Sequence, residues 1–287
     1  MRTYPLIFLT IFFIATLFFA SYLLSGRGEE YSQAERIFGI LFALALAAVS
    51  GWELLNILRN NPYSSRRRAA LSRYAARAGM TFEQRAEGFH EAVRSIILFQ
   101  KVGNIEIHNV LRRRTPEYEI AAFDYLAEGT GEDPSTEAGT AIRIAGEGIQ
   151  LPTFTINGLG RPRSRPKKQR SAMRPWKSWI IQTFSDFANF HLIVIDEDPQ
   201  FTNFHWLTGC DEERVRDLFD SEVRSFFVQL LRHGYRLTVG TCPGQLTITP
   251  SKMIQPDRLA EHIAIAREIL KALTNGERDR QSHFQAE

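Results

Sequence analysis

Cysteine is nearly absent from this chain of 287 residues, which holds only Cys210 and Cys242. Neither sits in a CxxC pair or at metal-ligand spacing, which argues against a zinc site and a disulfide framework. Two free thiols fit a reducing compartment. The common catalytic signatures are missing as well: no GxxxxGK[ST] phosphate loop, no GxSxG, no HExxH or HxxEH, and no EF-hand spacing occurs. No internal repeat is evident, and single strands do not alternate with single helices, so nothing suggests a doubly wound nucleotide fold. Charge of one sign is also scarce overall, at a formal +3. Its distribution is what carries information.

Two long apolar runs are present. The first, Tyr4 to Leu24, contains no charge, and the second, Ile37 to Leu58, is broken only by Glu53. A hydrocarbon core of ~30 Å needs about 20 apolar residues, so both runs are expected to span a membrane as helices over about 4–24 and 37–58. A cleaved signal peptide is the alternative for the first run, but it exceeds the usual apolar length and lacks a small-x-small cleavage site. The connection between the runs carries two arginines against three glutamates, whereas Arg59, Arg66, Arg67, Arg68, Arg73 and Arg77 follow the second run without an acid. Positive charge stays inside. The expectation is therefore a multi-pass bacterial inner-membrane protein with both termini and the remaining domain cytoplasmic. Gly39, Ala43 and Ala47, small residues spaced by four, would allow helix pairing and a homo-oligomer.

Beyond Pro62 the pattern is mixed. Ser64 or Ser65 can cap a basic juxtamembrane helix over 59–80, and Phe89, Val93, Ile96 and Ile97 have helical spacing. NIEIHNVL and EYEIAAFDYL alternate as strands around a hairpin loop, followed by strand-like TAIRIAG and GIQLPTFTIN. SWIIQTF, FHLIVIDED and FTNFHWLTG follow the basic stretch as further strand-like segments. Asp211 can cap one helix through residue 233, with Gly234 as its left-handed stop. Cys242-Pro243-Gly244 reads as a hairpin turn. Pro256 opens a final helix that Gly276 ends, leaving 277–287 as a flexible tail. Hairpins followed by helix, hairpin and helix predict an α+β domain over 81–276 with a mainly antiparallel sheet and packed helices.

The LPTF segment, FHLIVIDEDP, FHWLTGCDE and the amphipathic helix after it together resemble uncharacterised bacterial proteins with two N-terminal membrane helices and a cytoplasmic α+β domain. The resemblance covers most of the chain and implies that architecture, with no activity attached.

Two constellations could carry chemistry. Asp196, Glu197 and Asp198 could hold a hard cation, but adjacent strand residues point to opposite faces, and a strand end turning at Pro199 explains them more simply. His205, Cys210 and Asp211 could form a thiol nucleophile with its base, since a helix N-terminus lowers a thiol pKa. Against this, Asp211 serves as a cap and His205 lies on an aromatic strand. No residue is assigned to catalysis, a metal or a cofactor.

The remaining feature is GLGRPRSRPKKQR at 158–170. From Gly158 to Lys177 there are eight Lys or Arg, three prolines and no acid. A solvated loop over 158–177 is the bland reading. Nucleic acid attracts such runs, but the aromatics trail the charges and no recognition motif accompanies them. Anionic lipid headgroups have the advantage if the domain is already tethered to a membrane. Candidate contacts with a membrane surface or anionic ligand are Arg66, Arg67, Arg68, Arg73, Arg161, Arg163, Arg165, Lys167, Lys168 and Arg170. The sequence thus predicts a membrane-anchored binding or scaffolding module that docks on anionic lipid or a membrane protein partner. The alternative is an enzyme acting on a membrane-proximal substrate through a pocket that the sequence does not reveal.

Overall fold

A computed structural model describes residues 10, 13–18, 21–22, 33–59, 64–86, 88–94, 96–99, 104–128, 136–159 and 190–284. The chain divides into two compact units, Met1–Ser64 and Ser65–Glu287.

In the first unit, α1 (Gln33–Arg59) turns Ala43, Ala47 and Ser50 inward. Gly51 lies against the Phe13 ring, where a Cβ would come to 3.4 Å. Small residues thus form the inner side of the helix, while Phe38, Leu41, Phe42, Leu44 and Val49 are exposed. Ala43 and Ala47 are used within the chain itself. Among the described residues, no helix is long and apolar enough to cross a membrane. This overturns the expected transmembrane hairpin, and with it the multi-pass inner-membrane placement and the cytoplasmic topology inferred from it. The apolar runs satisfy a length rule, but the described residues do not supply the helices that the rule needs. Most of the run from Tyr4 to Leu24 lies outside the described residues.

The second unit is α+β, as the hairpin pattern predicted. Among the described residues, nine strands form one sheet in the order β1-β2-β3-β4-β9-β8-β5-β7-β6, and every pairing is antiparallel. The strands are β1 (Thr81–Glu83), β2 (Asn104–Arg114), β3 (Glu119–Glu128), β4 (Thr136–Ala145), β5 (Phe154–Gly158), β6 (His191–Ile193), β7 (His205–Gly209), β8 (Leu237–Cys242) and β9 (Gln245–Pro250). Short turns join β2 to β3 and β8 to β9; in the latter, Gly244 takes φ 82°, a conformation that only glycine adopts at no steric cost.

Each face of the sheet buries its own cluster. Ile120, Ala122, Ile142, Ile144, Phe154 and Ile156 belong to a large core with α2 (Ser65–Ala78), α5 (Glu212–Leu218), α6 (Ser221–Arg232) and α7 (Leu259–Phe284). The residues between them, Ala121, Phe123, Tyr125 and Ala141, belong to a second core with α3 (Phe89–Arg94) and the 3₁₀ turn Ile97–Phe99. Side chains alternate across a strand, so a strand covered on both sides reads as one continuous apolar run. This explains why EIAAFDYL is buried almost throughout.

Three local expectations change. Phe201 to Phe204, read as strand, form α4 (Pro199–Phe204), because Asp198 accepts from the Phe201 N–H and Pro199 stands in the first turn. The long helix after Asp211 is two helices, since Asp220 accepts from the N–H groups of Glu222 and Val223 and starts α6 afresh. The final helix does not stop at Gly276: α7 continues to Phe284.

Candidate functional site

Helix α2 holds the arginines that the sequence singled out, and its geometry divides them. Leu71 and Ala75 pack into the large core, and Arg67 is buried on the same side. The Arg67 guanidinium donates from Nε to Asp124 Oδ2 at 2.7 Å and from Nη2 to Asp124 Oδ1 at 2.6 Å. Its Nη1 donates to the Ile254 carbonyl at 2.7 Å, and Nη2 also reaches Thr140 Oγ1 at 3.0 Å. Asp124 in turn accepts from Asn109 Nδ2 at 2.8 Å and Thr140 Oγ1 at 2.8 Å. Thr140 Oγ1 also accepts the Ile254 N–H at 3.2 Å. Four hydrogen bonds use the four acceptor positions of the carboxylate, and all three guanidinium nitrogens are engaged. Asn109 reaches this point from a bulge in β2, at φ 52°, the left-handed region that asparagine tolerates better than most residues.

The network ties α2 to β2, β3, β4 and the segment after β9. Arg67 is therefore not a surface contact. A buried charge must be paired and hydrogen-bonded to be tolerated, and its 4% side-chain exposure leaves it no access to a partner.

Arg66, Arg73 and Arg77 are exposed, and Arg68 is half-buried. Residues seven and four apart fall on one side of a helix, so Arg66, Arg73 and Arg77 form a row beside exposed Ser65, Ala69, Ser72 and Ala76. Arg73 Nε donates to its own helix, to Ala69 O at 3.2 Å. Among the described residues no carboxylate lies within ion-pair distance of these three guanidinium groups. Arg66, Arg67 and Arg68 also occupy the first turn, which holds no acid, although a helix N-terminus favours negative charge. The other named candidates, Arg161, Arg163, Arg165, Lys167, Lys168 and Arg170, lie outside the described residues, as does most of the expected loop over 158–177.

The constellations tested in the sequence are not brought together for chemistry. Asp198 caps α4 and pairs with Arg224 at 3.2 Å, while Asp196 and Glu197 are exposed in the turn before it. Among the described residues, no group of three His, Cys, Asp or Glu could hold a metal ion. His205 is buried and stacked on Phe201 at 4.7 Å. Its Nδ1 lies 3.2 Å from the Phe201 carbonyl oxygen, and burial pushes its pKa down to about 4. The Cys210 thiol is pushed up rather than activated, through partial burial, and Asp211 accepts the Arg214 N–H as the cap of α5.

Sequence reasoning missed the partners of Arg67. The signal was present in Asp124, the only charged residue inside the apolar stretch from Ile120 to Ala127. It also missed a buried polar layer on the far half of the sheet, where Thr155, Asn157, Thr238, Thr247 and Thr249 are each at most 9% exposed.

No family model matches the chain, and no curated protein matches it. Among solved structures, the mycobacterial trehalose monomycolate transport factor A, TtfA, aligns over 73% of this chain and 96% of its own, at 11% identity and a TM-score of 0.49. A likeness that weak assigns no activity.

Proposed function

We propose that the chain is a binding module that takes an anionic partner on the outward arginine row of α2. The observation that carries this reading is the contrast along one helix. Arg67 makes four hydrogen bonds to three groups in the core, whereas Arg66, Arg73 and Arg77 stand exposed with no acid in the helix and, among the described residues, no carboxylate beside them. Of the row, Arg66 stands in the helix's first turn, where a cation works against the dipole by about 0.3–1 kcal/mol. Residues that break a local rule without a compensating contact are expected at functional places.

A binding role is favoured over an enzymatic one by the engagement of the residues considered for catalysis. Asp198 and Asp211 cap helices, and His205 is a core residue. The case for lipid headgroups drew its strength from a membrane tether, and it weakens with the loss of the spanning helices. An acidic protein partner has no such dependence.

The test is a titration of the full chain with polyglutamate at low and moderate salt. Binding should be salt-sensitive and should fall several-fold in an Arg66→Gln/Arg73→Gln/Arg77→Gln variant. Equal affinity of the variant would refute the role of α2.

A further inference from the structure

Resting on that reading, we infer that the occupant of the α2 face is an α-helix of a partner protein with a row of carboxylates at positions i, i+7 and i+11. Three features of the exposed face point to a helix rather than an extended polyanion.

The first is spacing. At 1.5 Å per residue, Arg66 and Arg73 are separated by ~10 Å along the axis, and Arg73 and Arg77 by ~6 Å. The interval is uneven because position 70 is alanine. A phosphate backbone presents evenly repeating charge, whereas a second helix can repeat the same uneven interval with acids at matching positions. Those acids would share one side of the partner helix, as the arginines do here.

The second is the surface beside the row. Ser65, Ala69, Ser72 and Ala76 are all exposed and all small. Interaxial distance between packed helices is set by the side chains at the contact, within about 8–10 Å, and such a strip permits approach at the near end. The arginines then flank the contact, as charged residues flank the seam of paired helices.

The third is the aromatic content. The one aromatic residue of the helix, Tyr74, lies on its inner side among the residues packed against the core. Single-stranded nucleic acid is bound through aromatic platforms as well as charge, and the exposed face offers none.

The row is also held in place. Arg67 lies next to Arg66 and is fixed to β3 and β4 through Asp124 and Thr140. The start of α2 therefore cannot roll without breaking buried hydrogen bonds, and the outward residues are presented in a fixed orientation. A pre-ordered surface loses less freedom on binding.

The experiment uses the full chain and two labelled peptides of identical composition, both designed to be helical. One carries glutamates at i, i+7 and i+11, and the other has the same glutamates spread around the helix. Fluorescence anisotropy should give about tenfold tighter binding for the first. Arg73→Glu should lose that preference, and a peptide with lysine at i+7 should restore it. Equal binding of the two peptides would overturn the inference and leave only a general affinity for anions. Tighter binding of a single-stranded oligonucleotide than of either peptide would overturn it in favour of nucleic acid. If neither peptide nor polyglutamate bound, the proposed function itself would fall.

Discussion

Arg67 and Asp124 form a two-pronged ion pair at 2.6 and 2.7 Å with side-chain exposures of 4% and 1%, linking the first turn of α2 to the centre of β3. Taking two charges out of water is costly, and mutual attraction repays the cost only where the remaining hydrogen-bonding groups are satisfied. Asn109, Thr140 and Ile254 meet that condition here.

Removing one member should therefore do more harm than removing both. Arg67→Met or Asp124→Leu alone should destabilise the chain by about 3–5 kcal/mol, since each leaves a buried charge uncompensated. The double variant should recover much of that loss. Urea unfolding of the three variants gives the coupling directly, and additive losses would contradict the network.

His205 makes stability depend on pH. Its folded pKa, about 4, lies below the ordinary 6.5 because burial disfavours the imidazolium. The unfolded chain therefore binds the proton first. Its contribution is full above about pH 6.5 and is lost as pH falls toward 4, at up to ~1.4 kcal/mol per pH unit. Unfolding free energies measured from pH 7 to 4 should show a steeper loss for the native chain than for His205→Phe. Identical slopes would show that the histidine is not buried neutral.

Tyr125 lies over a bare glycine. A Cβ on Gly139 would fall 2.5 Å from the ring, and the ring is held by Phe99 at 4.8 Å on its other contacts. Gly139→Ala should cost about 1–3 kcal/mol through overpacking, and the loss should shrink in a Tyr125→Leu background. A neutral Gly139→Ala in thermal melting would count against this packing.

Much of the second unit was legible in the sequence, for identifiable reasons. Gly234 and Gly244 both take the positive φ that turn chemistry demands, 87° and 82°, and Leu259, Ile263, Ala266, Leu270 and Leu273 of α7 are all buried. Local chemistry decided these positions. The errors arose where two signals overlapped. Asp220 sits inside a continuous apolar stripe, and the stripe hid a second cap. Phe201 and Phe204 suit a strand by type, whereas Asp198 and Pro199 before them start a helix. In the first unit, apolar length alone stood in for structure. Arg67 shows the limit for the candidate site, because nothing in SRRRAALSR distinguishes the buried arginine from its neighbours. Its partner lies 57 residues away, so the distinction is a property of the fold.

The most direct test compares Arg73→Gln with the native chain in one paired measurement, melting temperature and affinity for the i, i+7, i+11 glutamate peptide. An exposed arginine with no carboxylate partner among the described residues should leave melting unchanged and weaken binding several-fold. A lowered melting temperature with unchanged affinity would mean that the arginine row serves the fold, and would contradict the binding role given to α2.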